Sequence, residues 1–148
     1  MTPSPVSGPP ELVIRGGTIL TLDDEARVLP RGDLAVAGGR IAAVAPTLDG
    51  PAGATVLDAS GCLVLPGLIQ GHVHLGQTFF RGLAESRRLL AWLAERIWPL
   101  EAAHDDESAY WSALLGGLEC LLGGTTTIQD IGLGPGARGL LEGIAETG

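Results

Sequence analysis

The chain has 148 residues, a formal net charge of −8 and no lysine, which argues against a basic surface for nucleic acid or an anionic membrane. Hydrophobic residues make up 45% and the mean hydropathy is +0.30, the composition of a chain with a core to bury rather than a disordered one. Two cysteines, Cys62 and Cys120, are too few for a disulfide framework. Both lie in apolar stretches and are expected as buried, reduced thiols.

Residues 1–10 have no basic start and no apolar core, so they read as a flexible tail rather than a secretory signal. From 11 to 66 the pattern is short strands punctuated by glycine. Leu12–Ile14 and Thr18–Leu22 flank Gly16-Gly17, and Leu34–Ala37 and Arg40–Val44 flank Gly38-Gly39. The second pair fits a two-residue hairpin whose turn residues both need positive φ. Ala54–Leu57 and Cys62–Leu65 flank an Asp58–Gly61 turn. The expectation is a small antiparallel β module.

At Pro66-Gly67 the character changes. Leu68–Leu75 reads as a strand. A helix capped by Ser86, with Leu89, Leu93 and Ile97 on one stripe and Glu85 as a first-turn charge, is expected to stop at Pro99. Asp105-Asp106-Glu107 opens a second helix, apolar on more than one face, that ends at Gly123-Gly124. Thr125–Asp130 reads as a strand and Ala137 to about Glu146 as a third helix. Strand–helix–strand–helix implies a parallel sheet covered by helices, an α/β fold. Residues 59–80 carry no charge, but Pro66, four glycines, two glutamines and two histidines interrupt them, which argues against a membrane helix. A cytoplasmic protein is expected by default. Only 82 residues follow Pro66, whereas a closed eight-stranded α/β barrel takes about 250, so a truncated fragment is expected.

Side chains alternate along a strand, so His72 and His74 project to one side, where two imidazoles can chelate one divalent metal. Alone, His-x-His is weak evidence for a metal, and two satisfied or exposed histidines explain it better. Its context is a charge-free strand entering an α/β region, and barrel catalytic residues lie at C-terminal strand ends.

The run Leu63-Val64-Leu65-Pro66-Gly67-Leu68-Ile69-Gln70-Gly71-His72-Val73-His74 resembles the barrel-opening motif of the metal-dependent amidohydrolase superfamily. With residues 75–84, Trp92-Leu93, Ile97–Glu101 and Gly124–Thr127, it is similar to the branch of methylthioadenosine/S-adenosylhomocysteine deaminases and triazine chlorohydrolases. The resemblance covers about residues 11–148. It implies that 11–66 are the N-terminal part of a β-sandwich and that 67–148 are the first two βα units of an incomplete (β/α)8 (TIM) barrel. It implies His72 and His74 as ligands of one divalent transition metal, zinc preferred to iron. It also implies that Glu101, 27 residues after His74, contacts ribose hydroxyls. Gln77, in the loop over the pocket, is a candidate to hydrogen-bond a heterocycle.

The implied reaction is hydrolysis of a non-peptide carbon–nitrogen bond, deamination of an aminopurine nucleoside or similar heterocycle. The partner is then a small heterocyclic substrate, and a homo-oligomeric parent is in keeping with it. A triazine-type chlorohydrolase is the first alternative; an inactive fragment is the second. The chain departs from the family pattern in holding three histidines in all. His104 cannot fill both later histidine roles and is expected to be structural, so no catalytic acid or base is assigned within the segment. The 148 residues alone are expected to be inactive. Arg81 is expected to anchor the loop, Asp130 to serve a supporting role at its strand end, and Trp92, Trp98 and Trp111 to be core or pocket wall.

Overall fold

Strand formation begins at the first β-branched run. In the computed structural model, which describes residues 8–50, 53–83, 86–132 and 134–148, β1 (Leu12–Leu20) runs unbroken through Gly16-Gly17. A positive φ of 73° at Gly16 makes the glycine pair a bulge in one strand rather than a break between two. Most of the expected tail and Glu85 lie outside the described residues. The chain divides into two units, Met1–Pro66 and Gly67–Gly148.

In the first unit, β2 (Val28–Ala37) pairs antiparallel with β1 on one side and with β3 (Arg40–Ala45) on the other. Gly38 and Gly39 turn this hairpin at φ 56° and 69°, the positive pair a two-residue turn requires. The module is not wholly antiparallel, however. β4 (Thr55–Asp58) and β5 (Leu63–Val64) both pair parallel with β1, in succession along one edge. Asp58–Gly61 is therefore a jog within one edge and not a hairpin turn. β2 already fills the other side of β1, and the Ala59 N–H donates to Arg15 O at 2.8 Å while the Thr18 N–H donates to Cys62 O at 2.9 Å. Those bonds carry the edge across the bulge. Cys62 is consequently exposed and Cys120 half-buried; neither is the buried thiol expected, though both are free. Val13, Ile19, Leu34, Ala35, Ala37 and Ala59 form the buried interior of this unit.

In the second unit, β6 (Leu68–Val73) and β7 (Thr125–Asp130) are parallel neighbours, with Val73 opposite Asp130 at their C-terminal ends. The β-branched Thr125–Ile128 run favours the extended form. β6 ends before His74, and Leu75–Phe80 winds into a 3₁₀ turn. The helix around Pro99 departs from expectation at both ends. It begins at Leu89 after an uncapped Arg88, with Ser86 at φ 61°. It then runs through α1 (Leu89–Trp92), a π turn at Leu93–Ile97 and α2 (Trp98–Ala102). Proline lacks the N–H that would bond one turn back. The π turn shifts the bonding pattern just before Pro99, so the residue enters as the start of a new α segment instead of a stop.

α3 (Asp106–Leu122) opens on a capping box in which Asp105 Oδ1 accepts from the Ser108 N–H at 2.8 Å and Ser108 Oγ accepts from the Asp105 N–H at 3.0 Å. Its Ala109 and Ala113 pack with Leu75 and with Leu140 of α4 (Ala137–Glu146) as the core of this unit. Trp111, Leu115, Leu118, Leu121 and Leu122 stay exposed on α3, so Trp111 is not part of the core of this unit. No described helix is long and apolar enough to cross a membrane.

Candidate metal and substrate site

His72 in β6 and His74, one residue past its end, come together, with Nε2 to Nε2 at 3.0 Å. The rings meet edge to face, 4.9 Å between centroids. Two nitrogens on one tetrahedral zinc, each at about 2.0–2.1 Å, lie about 3.3 Å apart. The observed separation is that of a hydrogen bond between the two rings, somewhat shorter than this spacing, so two ligands of one ion would have to part slightly; imidazole is a donor suited to zinc. Among the described residues, no group of three or more His, Cys, Asp or Glu gathers to complete such a site.

The backbone just after His74 is fastened from three directions. Asp130 Oδ2 accepts from the Leu75 N–H at 2.7 Å and its Oδ1 from the Gly132 N–H at 2.6 Å, so this carboxylate holds the two strand-end loops together. Ser112, fully buried on α3, places Oγ 2.9 Å from Leu75 O and 3.0 Å from Gly76 O, and accepts from the Phe79 N–H at 3.3 Å. His104 Nε2 lies 2.8 Å from Gly76 O, and its Nδ1 lies 2.9 Å from Ser108 Oγ. A carbonyl only accepts, so Nε2 carries the proton. The ring also stacks on Phe80. Arg81 donates to Thr78 O at 3.1 Å and to Glu119 Oε1 at 3.0 Å, anchoring the end of the turn.

Ser112 was not legible as a site residue. The one signal was a lone hydroxyl among small residues on a face that packs inward.

Gln77 and Glu101, far apart in sequence, meet directly: Gln77 Nε2 donates to Glu101 Oε1 at 2.8 Å. Both line a pocket of about 270 Å³ with His74, Trp98, His104 and Gly132, near the lower end of small-molecule sites at about 300–1,000 Å³. His72 stands outside that wall, exposed, while His74 is half-buried. The α3 start beside the pocket is acidic and committed. The Ser108 hydroxyl and backbone amide hold Asp105 below the usual carboxylate range, and the Arg138 guanidinium does the same for Asp106.

Residues 63–148 match the model of the amidohydrolase family, and the chain belongs to that family. It is 43% identical over 122 residues to a 5-methylthioadenosine/S-adenosylhomocysteine deaminase of Symbiobacterium thermophilum, covering 81% of this chain and 28% of that protein. Among solved structures, an adenosine deaminase from Xanthomonas campestris with bound zinc is 35% identical at a TM-score of 0.76, covering 82% of this chain and 29% of that one. A mutant of atrazine chlorohydrolase TrzN from Arthrobacter aurescens TC1, complexed with zinc and atraton, is 30% identical at a TM-score of 0.82, covering 92% and 32%. The chain spans about 28% of the length of the curated relatives it matches.

Proposed function

We propose that this chain supplies the metal-gathering first strand and one wall of the substrate pocket in a metal-dependent amidohydrolase that deaminates an aminopurine nucleoside. Residues 11–66 act as the N-terminal part of a β-sandwich, and 67–148 as the first two βα units of a (β/α)8 barrel. The order β6, helices, β7, helix supports that reading, as does a site at the C-terminal ends of both strands. The observation that carries the function is the convergence of His72 and His74 at 3.0 Å, with His74 in the wall of the pocket that holds Gln77 and Glu101.

His72 and His74 would hold one divalent metal, zinc before iron. Bound there, such an ion lowers the pKa of water to about 7 and supplies a strong nucleophile at neutral pH. The segment's own residues do the rest of their work by position. Asp130, Ser112 and His104 hold the backbone after His74, keeping its imidazole in place. Glu101 accepts from ribose hydroxyls, Gln77 lies beside it, and Trp98 offers an apolar face to the base. The likeness to the triazine enzyme supports a second reading, in which the same pocket takes a triazine ring and no sugar.

The test uses an enzyme that carries this segment within a whole barrel. His72→Ala and His74→Ala should each lower metal content by elemental analysis and abolish ammonia release from adenosine. Full metal occupancy in the double variant would sink the metal assignment; turnover of a chlorotriazine but not of adenosine would select the second reading.

A further inference from the structure

Ser108 does two jobs at the start of α3. Its Oγ accepts from the Asp105 N–H at 3.0 Å, which is half of the helix cap. The same oxygen lies 2.7 Å from Asp105 Oδ1 and 2.9 Å from His104 Nδ1. A serine hydroxyl has one proton to give, and both Asp105 Oδ1 and an unprotonated Nδ1 would need it. Asp105 has the stronger claim. Its contact is the shorter, and this hydroxyl is the foremost of the groups that hold its carboxyl below the usual carboxylate range. A hydrogen bond to a charged acceptor is also about twice as strong as a neutral one. With the proton on the Asp105 side, Ser108 Oγ turns only lone pairs towards His104, and a bare Nδ1 would face them with no donor between. A proton on Nδ1 removes that conflict. Nε2 already carries one, since it faces the Gly76 carbonyl at 2.8 Å. The ring is fixed further by stacking on Phe80, 5.1 Å between centroids and 27° between planes, and by the His104 N–H donating to Glu101 O at 3.2 Å.

We infer that Ser108 is a positioning residue for the candidate metal site: with Asp105 it holds His104 in the form in which both ring nitrogens donate, and the ring passes that hold to Gly76 O, two residues after His74. This rests on the metal reading above and deepens it. The run from Asp105 carboxylate through Ser108 hydroxyl and His104 ring to Gly76 carbonyl then has a donor and an acceptor at every step. The charge on the carboxylate balances the charge on the ring. The N-terminus of α3 is thereby tied to the turn that sets His74. Neither ring nitrogen is left for a substrate, although His104 lines the pocket, so the ring serves as wall and clamp.

The test begins with the metal-free enzyme that carries this segment, at neutral pH. Heteronuclear NMR of the histidine rings should show His104 with a proton on each ring nitrogen; a single protonated nitrogen overturns the inference without any variant. Ser108→Ala keeps the backbone N–H that Asp105 caps, so α3 should persist by circular dichroism. The Nδ1 proton should be lost, and zinc affinity, read by chelator competition, should fall about tenfold, the low end for groups that orient a ligand. Ser108→Thr retains the hydroxyl and should restore both. Loss of the ring signature with zinc affinity unchanged, or equal weakening by Ala and Thr, overturns the positioning role. Should Ser108→Ala not fold, Asp105→Asn takes its place. Asn caps a helix about as well as Asp but removes the charge, so it should release the Nδ1 proton and weaken zinc binding likewise; no change in either overturns the inference. The metal reading fails separately if His74→Ala binds zinc as tightly as the unaltered enzyme, which removes what Ser108 positions while the metal-free ring signature stands.

Discussion

The carboxylate of Asp130, at the end of β7, accepts a 2.7 Å hydrogen bond from the N–H of Leu75, 55 positions earlier. Leu75 directly follows His74, so the end of one strand holds the imidazole-bearing end of its neighbour. The same carboxylate holds Gly132. Asp130→Ala should free both loops and, on the proposed function, lower the metal affinity of an enzyme carrying this segment about ten- to hundredfold, the usual cost of losing a group that orients a ligand. Competition with a chelator measures it. An unchanged affinity would show that His74 is held well enough by Ser112 and His104.

Glu101 sits within hydrogen-bond reach of Gln77 in the pocket wall. Replacing its carboxylate by an amide removes a charged acceptor, a contribution of about 1.5–3 kcal/mol. Glu101→Gln should therefore raise KM for adenosine-type substrates about ten- to hundredfold. Steady-state kinetics with nucleosides and a bare heterocycle separates the outcomes. Equal, small losses for both favour the triazine reading.

The first unit has its own titrating anchor. Asp33 is 7% exposed and accepts from the Leu48 N–H at 3.0 Å and the Gly16 N–H at 3.1 Å. These amides, Leu48 foremost, hold its carboxyl below the ordinary value of 3.8. A depressed folded pKa means that the stabilisation is present above the unfolded value and is lost as pH falls through the folded one. Asp33→Asn should cost about 1.5–3 kcal/mol near neutral pH. Thermal melts of the chain and the variant should converge as pH is lowered past 3.8. A gap constant across the acid range would contradict the assignment.

Gly116 on α3 lets the turn after His74 approach closely. A Cβ there would collide with Thr78 Oγ1 and stand 2.9 Å from Leu75 Cδ2. Gly116→Val should lower stability by about 1–3 kcal/mol through overpacking and weaken metal binding by displacing Leu75. A melt and a metal titration read the two effects separately, and a variant unchanged in both would refute the close approach.

Local chemistry in the sequence determined much of this chain. The β-branched run at Thr125–Ile128, the acidic start of α3, the limits of α4 and the Gly38-Gly39 hairpin all follow from backbone preferences that a few neighbouring residues settle. The placement of His72 and His74 on one side follows from the two-residue period of a strand. Other features depended on partners distant in sequence. That β4 and β5 join the edge of β1 left by β2, and run parallel to it, is seen only in the folded sheet. Pro99 stayed within a helical stretch because a π turn shifted the bonding just before it. Ser112, His104 and Asp130 became supports of the His74 turn through hydrogen bonds spanning 28 to 55 positions. Gln77 and Glu101 became a pair only when the 3₁₀ turn and α2 met. Backbone conformation is set by sterics within a few residues, whereas strand direction and side-chain pairing are set by which distant surfaces are buried together, and that only the tertiary structure decides.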